Sequence, residues 1–129
     1  MTSRRVLIIE DETLVAHVLC DGLRACGFDA EAAGSGEEGL AAFWAERPEI
    51  VVTDVFMADR EGLEILREIK REAPEAKVVA MSGGGRMISA DCVLDMARKL
   101  GADAVLQKPF RIDDLVAVIE GLEHRPRAA

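Results

Sequence analysis

Three short apolar runs of this chain each lead into charged side chains, and runs of this length predict buried strands. The runs are residues 6–9, 50–53 and 104–106, and they precede, in that order, Glu10 with Asp11, Asp54 and Lys108. In an open α/β sheet, the carboxyl ends of parallel strands form the edge where ligands bind. Clustered carboxylates repel one another unless a cation joins them, and Mg²⁺ prefers oxygen ligands. The sequence therefore predicts a magnesium site with a lysine beside it, which is typical of phosphoryl chemistry.

Apolar runs alternate with helical periodicity along the whole chain, and this alternation predicts βαβ units around a parallel sheet. The predicted strands cover about residues 4–10, 28–33, 49–54, 77–82 and 103–107. Four of the predicted helices cover about residues 12–26, 62–73, 89–100 and 112–124. The remaining helix starts at a capping box formed by Ser35 and Glu38 and stops before Pro48. We expect one domain over residues 1–124 and a short tail over residues 125–129.

The first helix carries its large apolar residues at helical spacing, which predicts an inward face made of Leu14, Val15, Val18, Leu19 and Leu23. On the same helical wheel Cys26 lies with the apolar face, and Cys20 lies off it. The three cysteines have no metal-ligand spacing, so we interpret them as free thiols of a protein in a reducing cytosol. Gly27 and Gly101 are expected to end the first and fourth helices.

The charge balance argues against two classes of partner. The net charge is −8, and no basic patch of the kind that binds nucleic acid is visible in the sequence. No apolar stretch is long enough to span a bilayer, and the apolar run near the N-terminus is too short for a signal peptide. We therefore expect a cytoplasmic protein that contacts neither nucleic acid nor membrane.

These residues together resemble the receiver domain of two-component response regulators over nearly the whole chain. The resemblance rests on an acidic pair after strand 1, an Asp after strand 3, a hydroxyl residue after strand 4 and a Lys-Pro-Phe sequence after strand 5. These positions are Glu10 and Asp11, Asp54, Ser82, and Lys108-Pro109-Phe110, with residues 54–57 and 62–64 also following the family pattern. The resemblance implies a flavodoxin-like, doubly wound α/β fold with five helices and a five-stranded parallel sheet of order 2-1-3-4-5.

The resemblance also implies a role for each site residue. Asp54 would accept a phosphoryl group from a phosphohistidine, and Lys108 and Ser82 would contact the phosphoryl oxygens. Mg²⁺ would be held by Glu10, Asp11, Asp54 and the backbone carbonyl of Phe56. The Lys108-Pro109 bond would be cis. The implied partners are a sensor histidine kinase or a histidine phosphotransfer protein, and a downstream protein that the sequence does not identify. The chain would catalyse only its own phosphorylation and dephosphorylation, so it would not be an enzyme in the ordinary sense.

Several positions differ from what is common in this family. Phe56 stands two residues after the phosphoacceptor, and we expect its bulk to exclude water and to lengthen the phosphorylated lifetime. Gly84, two residues after Ser82, has no side chain with which to position water. Val105 occupies a position where an aromatic ring often swings inward, so ring rotation is not the readout here. We expect the switch to involve Ser82, Gly83, Gly84 and Val105, within a reorganisation of the region from Ser82 to Leu100.

Five alternatives can be weighed from the sequence alone, for single residues or for the whole chain. Asp11 by itself is also compatible with a helix N-cap. A phosphatase with an aspartyl nucleophile usually carries a second Asp where this chain has Phe56, and a flavin carrier would be repelled by the acidic residues after strand 1. The chain is also compatible with a receiver fragment of a larger regulator or hybrid kinase, although its end after the last helix favours a single-domain, stand-alone protein. A phosphate sink is a further possibility for its role.

Overall fold

A computed structural model describes residues 4–57, 62–83 and 90–123 of the chain. Five strands and five helices alternate in the order β1 to α5. The elements are β1 (Arg5–Ile9), α1 (Thr13–Ala25), β2 (Asp29–Ala33), α2 (Gly36–Glu46), β3 (Ile50–Asp54), α3 (Gly62–Glu72), β4 (Lys77–Ser82), α4 (Ala90–Lys99), β5 (Ala104–Gln107) and α5 (Ile112–Glu123). The sequence placed every one of these elements to within about one residue at each end, apart from the predicted ends that fall outside the described residues.

The five strands form one parallel sheet in the order β2-β1-β3-β4-β5, which confirms the order that the family resemblance implied. Helices α2, α3 and α4 cover one face around a core that includes Phe43, Ile65 and Leu66. Helices α1 and α5 cover the other face around Leu23 and Ile119. Because β3 is fully covered on both faces, all five of its residues are buried. The carboxyl ends of β1, β3 and β4 therefore meet at one edge of the sheet.

The inward face of helix α1 is predicted correctly at Val15, Leu19 and Leu23 but wrongly at Leu14 and Val18. Leu14 and Val18 are 77% and 59% exposed, whereas Cys20 is only 4% exposed and lies in the core. Cys26, predicted to share the apolar face, is exposed. The neighbouring helix region decides the rotation, since Gly22 faces Ile112 so closely that an added Cβ would lie 2.4 Å from its Cγ1 atom. Gly22 therefore lies against α5, and Leu14 and Val18 face outward.

The ends of the helices follow the local chemistry of the sequence. Ser35 caps α2 by accepting a hydrogen bond from the Glu38 amide at 3.1 Å. In a capping box the Glu38 carboxylate would accept from the Ser35 amide. Here it accepts from the Gly34 amide instead, one residue earlier in the chain. Gly27 and Gly101 follow α1 and α4 with φ angles of 91° and 111°, which side chains with a Cβ rarely adopt.

A lysine joins three segments at the amino-terminal edge of the sheet, and we call this group the Lys70 strap. The Lys70 ammonium donates to the Pro74 and Ala76 carbonyls at 3.1 and 2.8 Å and to Asp103 Oδ2 at 3.0 Å. Asp103 Oδ2 also accepts from the Val78 amide at 2.8 Å. The strap therefore fixes the α3–β4 loop and the start of β5, at the opposite edge from the acidic cluster.

Candidate functional site

Three carboxylates predicted as metal ligands lie together at the carboxyl edge of the sheet. One oxygen each from Glu10, Asp11 and Asp54 can be chosen so that all three atoms lie within 4.8 Å of one another. Glu10 and Asp54 are buried, and Asp11 is exposed. The parallel pairing of β1 with β3 brings Glu10 and Asp54 to this edge, because Ile9 stands opposite Thr53 in the register. A set of oxygen donors at this spacing has the chemistry that a hard divalent cation requires.

The predicted lysine reaches the same carboxylates from β5. The Lys108 ammonium donates to Glu10 Oε1 at 2.5 Å and to Asp54 Oδ2 at 3.1 Å. These contacts join residues that are 98 and 54 positions apart in the sequence. The Lys108-Pro109 peptide bond is cis, as the family resemblance implied. The lysine thus neutralises part of the negative charge that the fold concentrates at this edge.

The surroundings of Glu10 and Lys108 raise the pKa of both side chains. Burial of Glu10 raises the pKa of its carboxyl, and the nearby charge of Asp54 adds to this effect, while the hydrogen bond from Lys108 opposes it. Burial by itself would lower the pKa of Lys108, but the hydrogen bond to Glu10 and the charges of Asp54 and Glu10 outweigh it and raise that pKa. Lys108 is therefore held in its charged form at neutral pH.

Backbone contacts orient the two buried carboxylates. The Glu12 amide donates to Glu10 Oε2 at 3.3 Å, and the Phe56 amide makes an equally long contact with Asp54 Oδ1 at 3.3 Å. Glu12, rather than Asp11, occupies the N-cap position of α1, and its side chain makes no capping hydrogen bond. Asp11 is left at the mouth of the site, where its side chain is exposed.

The remaining predicted residues are distributed around this cluster. Ser82 is fully buried at the end of β4, the strand next to β3, and its carbonyl accepts from the Lys108 amide at 2.8 Å. Gly83 is exposed, and a Cβ added to it would lie 3.7 Å from Lys108 Cβ. Val105 is half-buried and packs against the core below α2, α3 and α4. Gly84 lies outside the described residues.

Phe56 stands next to the acidic cluster with 40% of its surface exposed. Its exposure is unusual for a large aromatic side chain in this chain, since Phe28 and Phe43 are 4% and 1% exposed. The effect of Phe56 on the phosphorylated lifetime stays a prediction.

Two residues that contact the Asp54 main chain received no role of their own from the sequence. Thr53 Oγ1 donates to the Asp54 carbonyl at 3.0 Å, and Gly62 packs against the same carbonyl from the start of α3. For Gly62, the available signal was its place as the first residue of α3, where no turn requires a glycine.

Comparisons with known proteins agree with this fold and site. The family description "Response regulator receiver domain" matches residues 6–120. The transcriptional regulatory protein PdtaR of Mycobacterium tuberculosis is 40% identical over 120 residues, covering 91% of this chain and 55% of that protein. The regulator TrcR of the same species is 32% identical over 123 residues, covering 94% of this chain and 46% of that protein. This chain thus spans about half the length of the curated relatives it matches.

Solved structures match the chain over nearly its full length. A CheY-like receiver domain protein from Methanospirillum hungatei superposes with a TM-score of 0.85 at 27% identity, with 94% of each chain covered. A receiver domain protein from Clostridium thermocellum superposes with a TM-score of 0.83 at 31% identity, with 91% of each chain covered. Within the described residues, no helix has the length and apolar character of a membrane span.

Proposed function

The chain belongs to the family of response regulator receiver domains, and from this premise we propose that Asp54 accepts a phosphoryl group from a histidine of a partner protein. The observation that carries the proposal is the Lys108 ammonium, which contacts both Glu10 and Asp54 at the edge of the sheet. A carboxylate nucleophile requires a nearby cation, because the incoming phosphoryl group brings further negative charge to the same place. The partner would be a sensor histidine kinase or a histidine phosphotransfer protein.

The donor set at this edge fits a magnesium ion. Glu10, Asp11, Asp54 and the backbone carbonyl of Phe56 would hold it, and the three carboxylates already lie close enough to share one cation. When bound, Mg²⁺ would neutralise charge on the phosphoryl oxygens and fix the orientation of the reacting groups. The partly buried setting strengthens this interaction relative to bulk water.

The side chains of the protein each have one task in the transfer. An oxygen of the Asp54 carboxylate attacks phosphorus as the P–N bond to the partner's histidine breaks, and the electron pair of that bond stays on the imidazole nitrogen. Lys108 then pairs with a phosphoryl oxygen as a point charge, and the Ser82 hydroxyl donates to another. Hydrolysis of the aspartyl phosphate then releases inorganic phosphate and returns Asp54 to its starting form. The protein therefore turns over no substrate other than its own phosphoryl group.

The phosphorylated form signals through protein contacts. The proposed switch comprises Ser82, Gly83, Gly84 and Val105, and its reorganisation extends over the region from Ser82 to Leu100. The hydrogen bond between the Lys108 amide and the Ser82 carbonyl supports this, because it joins the charged lysine to the first switch residue. The added charge of roughly −1.5 to −2 would draw both toward Asp54. We place this event in the cytoplasm, with no direct contact to nucleic acid or membrane.

A second candidate is supported by the length of the relatives. PdtaR and TrcR are about twice as long as the matched region, so this domain would then regulate a second domain in a larger regulator. The mass of the protein expressed from its own gene, detected with an antibody raised against this domain, separates the two cases. A mass near 14.0 kDa supports a stand-alone protein, and a much larger mass supports the regulator.

Intact mass spectrometry after incubation with Mg²⁺ and acetyl phosphate tests the proposed acceptor. We expect the wild type and the surface variant Asp21→Asn to gain one phosphoryl group, and Asp54→Asn to gain none. Asp21 is a suitable control because its side chain is 76% exposed on α1, where it pairs only loosely with Arg24 at 3.8 Å. An equal gain in Asp54→Asn would refute the assignment, as would the absence of any gain with both acetyl phosphate and a phosphorylated histidine phosphotransfer protein.

A further inference from the structure

Gly62 touches the phosphoacceptor strand more closely than any other residue type would allow. A Cβ added to Gly62 would lie 1.8 Å from the Asp54 carbonyl oxygen, 2.7 Å from the Asp54 carbonyl carbon and 2.6 Å from Val55 Cα. All three atoms belong to the main chain, so no side-chain rotation relieves the overlap. Gly62 is therefore required for clearance, since α3 starts directly against the end of β3.

The Asp54 carbonyl is held from a second direction by a hydroxyl. Thr53 is fully buried, and its Oγ1 atom donates to this carbonyl at 3.0 Å. We call the group formed by Thr53, the Asp54 carbonyl and Gly62 the carbonyl seat. The strand itself has little freedom to move, because the Val55 amide donates to the Met81 carbonyl at 3.0 Å and β3 is paired on both sides.

The carbonyl seat is connected to the peptide that carries a proposed metal ligand. The Gly62 amide donates to the Val55 carbonyl at 2.9 Å, and this carbonyl belongs to the peptide unit that ends at the Phe56 nitrogen. The Phe56 amide in turn contacts Asp54 Oδ1 at 3.3 Å. Any displacement of Gly62 away from Asp54 therefore pulls on Val55 and Phe56, while the paired strand stays in place.

We propose that Gly62 is a positioning residue for the Mg²⁺ site, acting through the Val55 and Phe56 peptides. Its missing side chain lets α3 approach the end of β3, and this approach fixes where the Phe56 carbonyl and the Asp54 carboxylate lie relative to each other. The inference rests on the proposed function, in which both groups bind the metal. Outer groups that orient metal ligands commonly change metal affinity by about 10- to 100-fold when altered.

Magnesium binding to the purified full chain tests the proposal, measured by titration calorimetry with MgCl₂ after removal of divalent ions. We expect Gly62→Ala to bind Mg²⁺ about 10-fold or more weakly than the wild type. Gly22→Ala is the matched control, since the three atoms nearest to its added Cβ all belong to the Ile112 side chain, at 2.4 to 3.3 Å, and not to the main chain of the acidic cluster. We expect this control to keep the wild-type affinity, even where its urea midpoint falls as far as that of Gly62→Ala.

Thr53→Val provides a second, milder perturbation of the same seat, because valine keeps the shape of threonine and lacks the hydroxyl. We expect a smaller loss of Mg²⁺ affinity, and this variant decides the question if Gly62→Ala does not fold. The proposal is overturned if Gly62→Ala folds and keeps the wild-type Mg²⁺ affinity, or if Gly22→Ala loses as much Mg²⁺ affinity as Gly62→Ala. If Gly62→Ala does not fold, an unchanged Mg²⁺ affinity of Thr53→Val overturns it. If the wild type binds no Mg²⁺, the magnesium site of the proposed function is refuted, and this inference fails with it. If the wild type binds Mg²⁺ and the variants bind it equally well, only the inference is overturned.

Discussion

Replacing Lys108 with Met should destabilise the protein mainly when no magnesium is present. The Lys108 ammonium lies 2.5 Å from Glu10 Oε1 and 3.1 Å from Asp54 Oδ2, and the Glu10 side chain is completely buried. Removing one partner of a buried ion pair costs about 3–5 kcal/mol, because the remaining charge is left without compensation. The Lys108 side chain is 22% exposed, so water relieves part of this cost. We expect a loss of about 2–3 kcal/mol in the free energy of unfolding at neutral pH.

Magnesium should remove most of this difference. Ligand at about 100 times its dissociation constant stabilises a folded protein by about 2.7 kcal/mol. In the variant the metal would replace the missing ammonium as the counter-charge for Glu10 and Asp54. In the wild type the metal has to share these carboxylates with Lys108, so it stabilises less. We therefore expect the two proteins to differ by less than about 1 kcal/mol at saturating Mg²⁺.

Urea unfolding in chelator and in Mg²⁺ measures both quantities. The single tryptophan, Trp44, reports unfolding because its ring packs on Phe43 at a centroid distance of 4.9 Å. With a slope of about 2 kcal/mol per molar urea, the expected loss lowers the midpoint in chelator by about 1–1.5 M. Lys99→Met is the control, since its pair with Asp95 is solvent-exposed and contributes at most about 0.5 kcal/mol. No loss in chelator, or an equal loss in both solutions, would refute the reasoning.

Three further predictions concern the strap, the thiols and the mouth of the site. Lys70→Met should lower the free energy of unfolding by about 2 kcal/mol, because it removes the hydrogen bonds of the strap, as measured by urea unfolding. Its Mg²⁺ affinity, measured by calorimetry, should be unchanged because the strap lies at the opposite edge of the sheet from the acidic cluster. A thiol reagent at pH 8 should label Cys26 and Cys92 quickly and Cys20 slowly. Burial raises the pKa of Cys20 above 9.0, so the unfolded thiol ionises first and stability should fall as pH rises past that value, less so in Cys20→Ala. Phe56→Asn should lose its aspartyl phosphate faster than the wild type, because a smaller polar side chain excludes less water; intact mass over time measures this.

The strand ends could be predicted from the sequence because they depend on local information. A run of four apolar residues followed by a carboxylate marks both the end of a buried strand and the group presented at the edge, as for Glu10 and Asp54. The parallel order of the strands then brings the carboxylates together without further information. The family resemblance supplied the cis Lys108-Pro109 bond, which composition alone does not indicate.

The edges of the buried face of α1 could not be predicted, although Val15, Leu19 and Leu23 face the core as expected, because helical spacing fits two slightly different rotations of this helix. Leu14 and Val18 satisfy the spacing as well as Cys20 does, yet they are exposed and Cys20 is buried. The choice is made by a tertiary contact, in which Gly22 allows Ile112 to approach. Hydrophobic pattern gives the period of an element, whereas the shape of its neighbours fixes its rotation.

The same limit explains why the contacts around Asp54 were only partly predictable. Sequence spacing indicates which charged groups reach the edge of the sheet. It does not indicate that Gly62 lets α3 pack closely against β3, or that Lys108 contacts two carboxylates at once. These features arise from segments that meet only in the folded chain. Since Lys108 donates through its backbone to Ser82 and through its side chain to Glu10 and Asp54, one residue links the acidic cluster to the end of β4. Under the proposed function, a change of charge on Asp54 would reach β4 through this residue, and we expect the connection to require no aromatic ring at Val105.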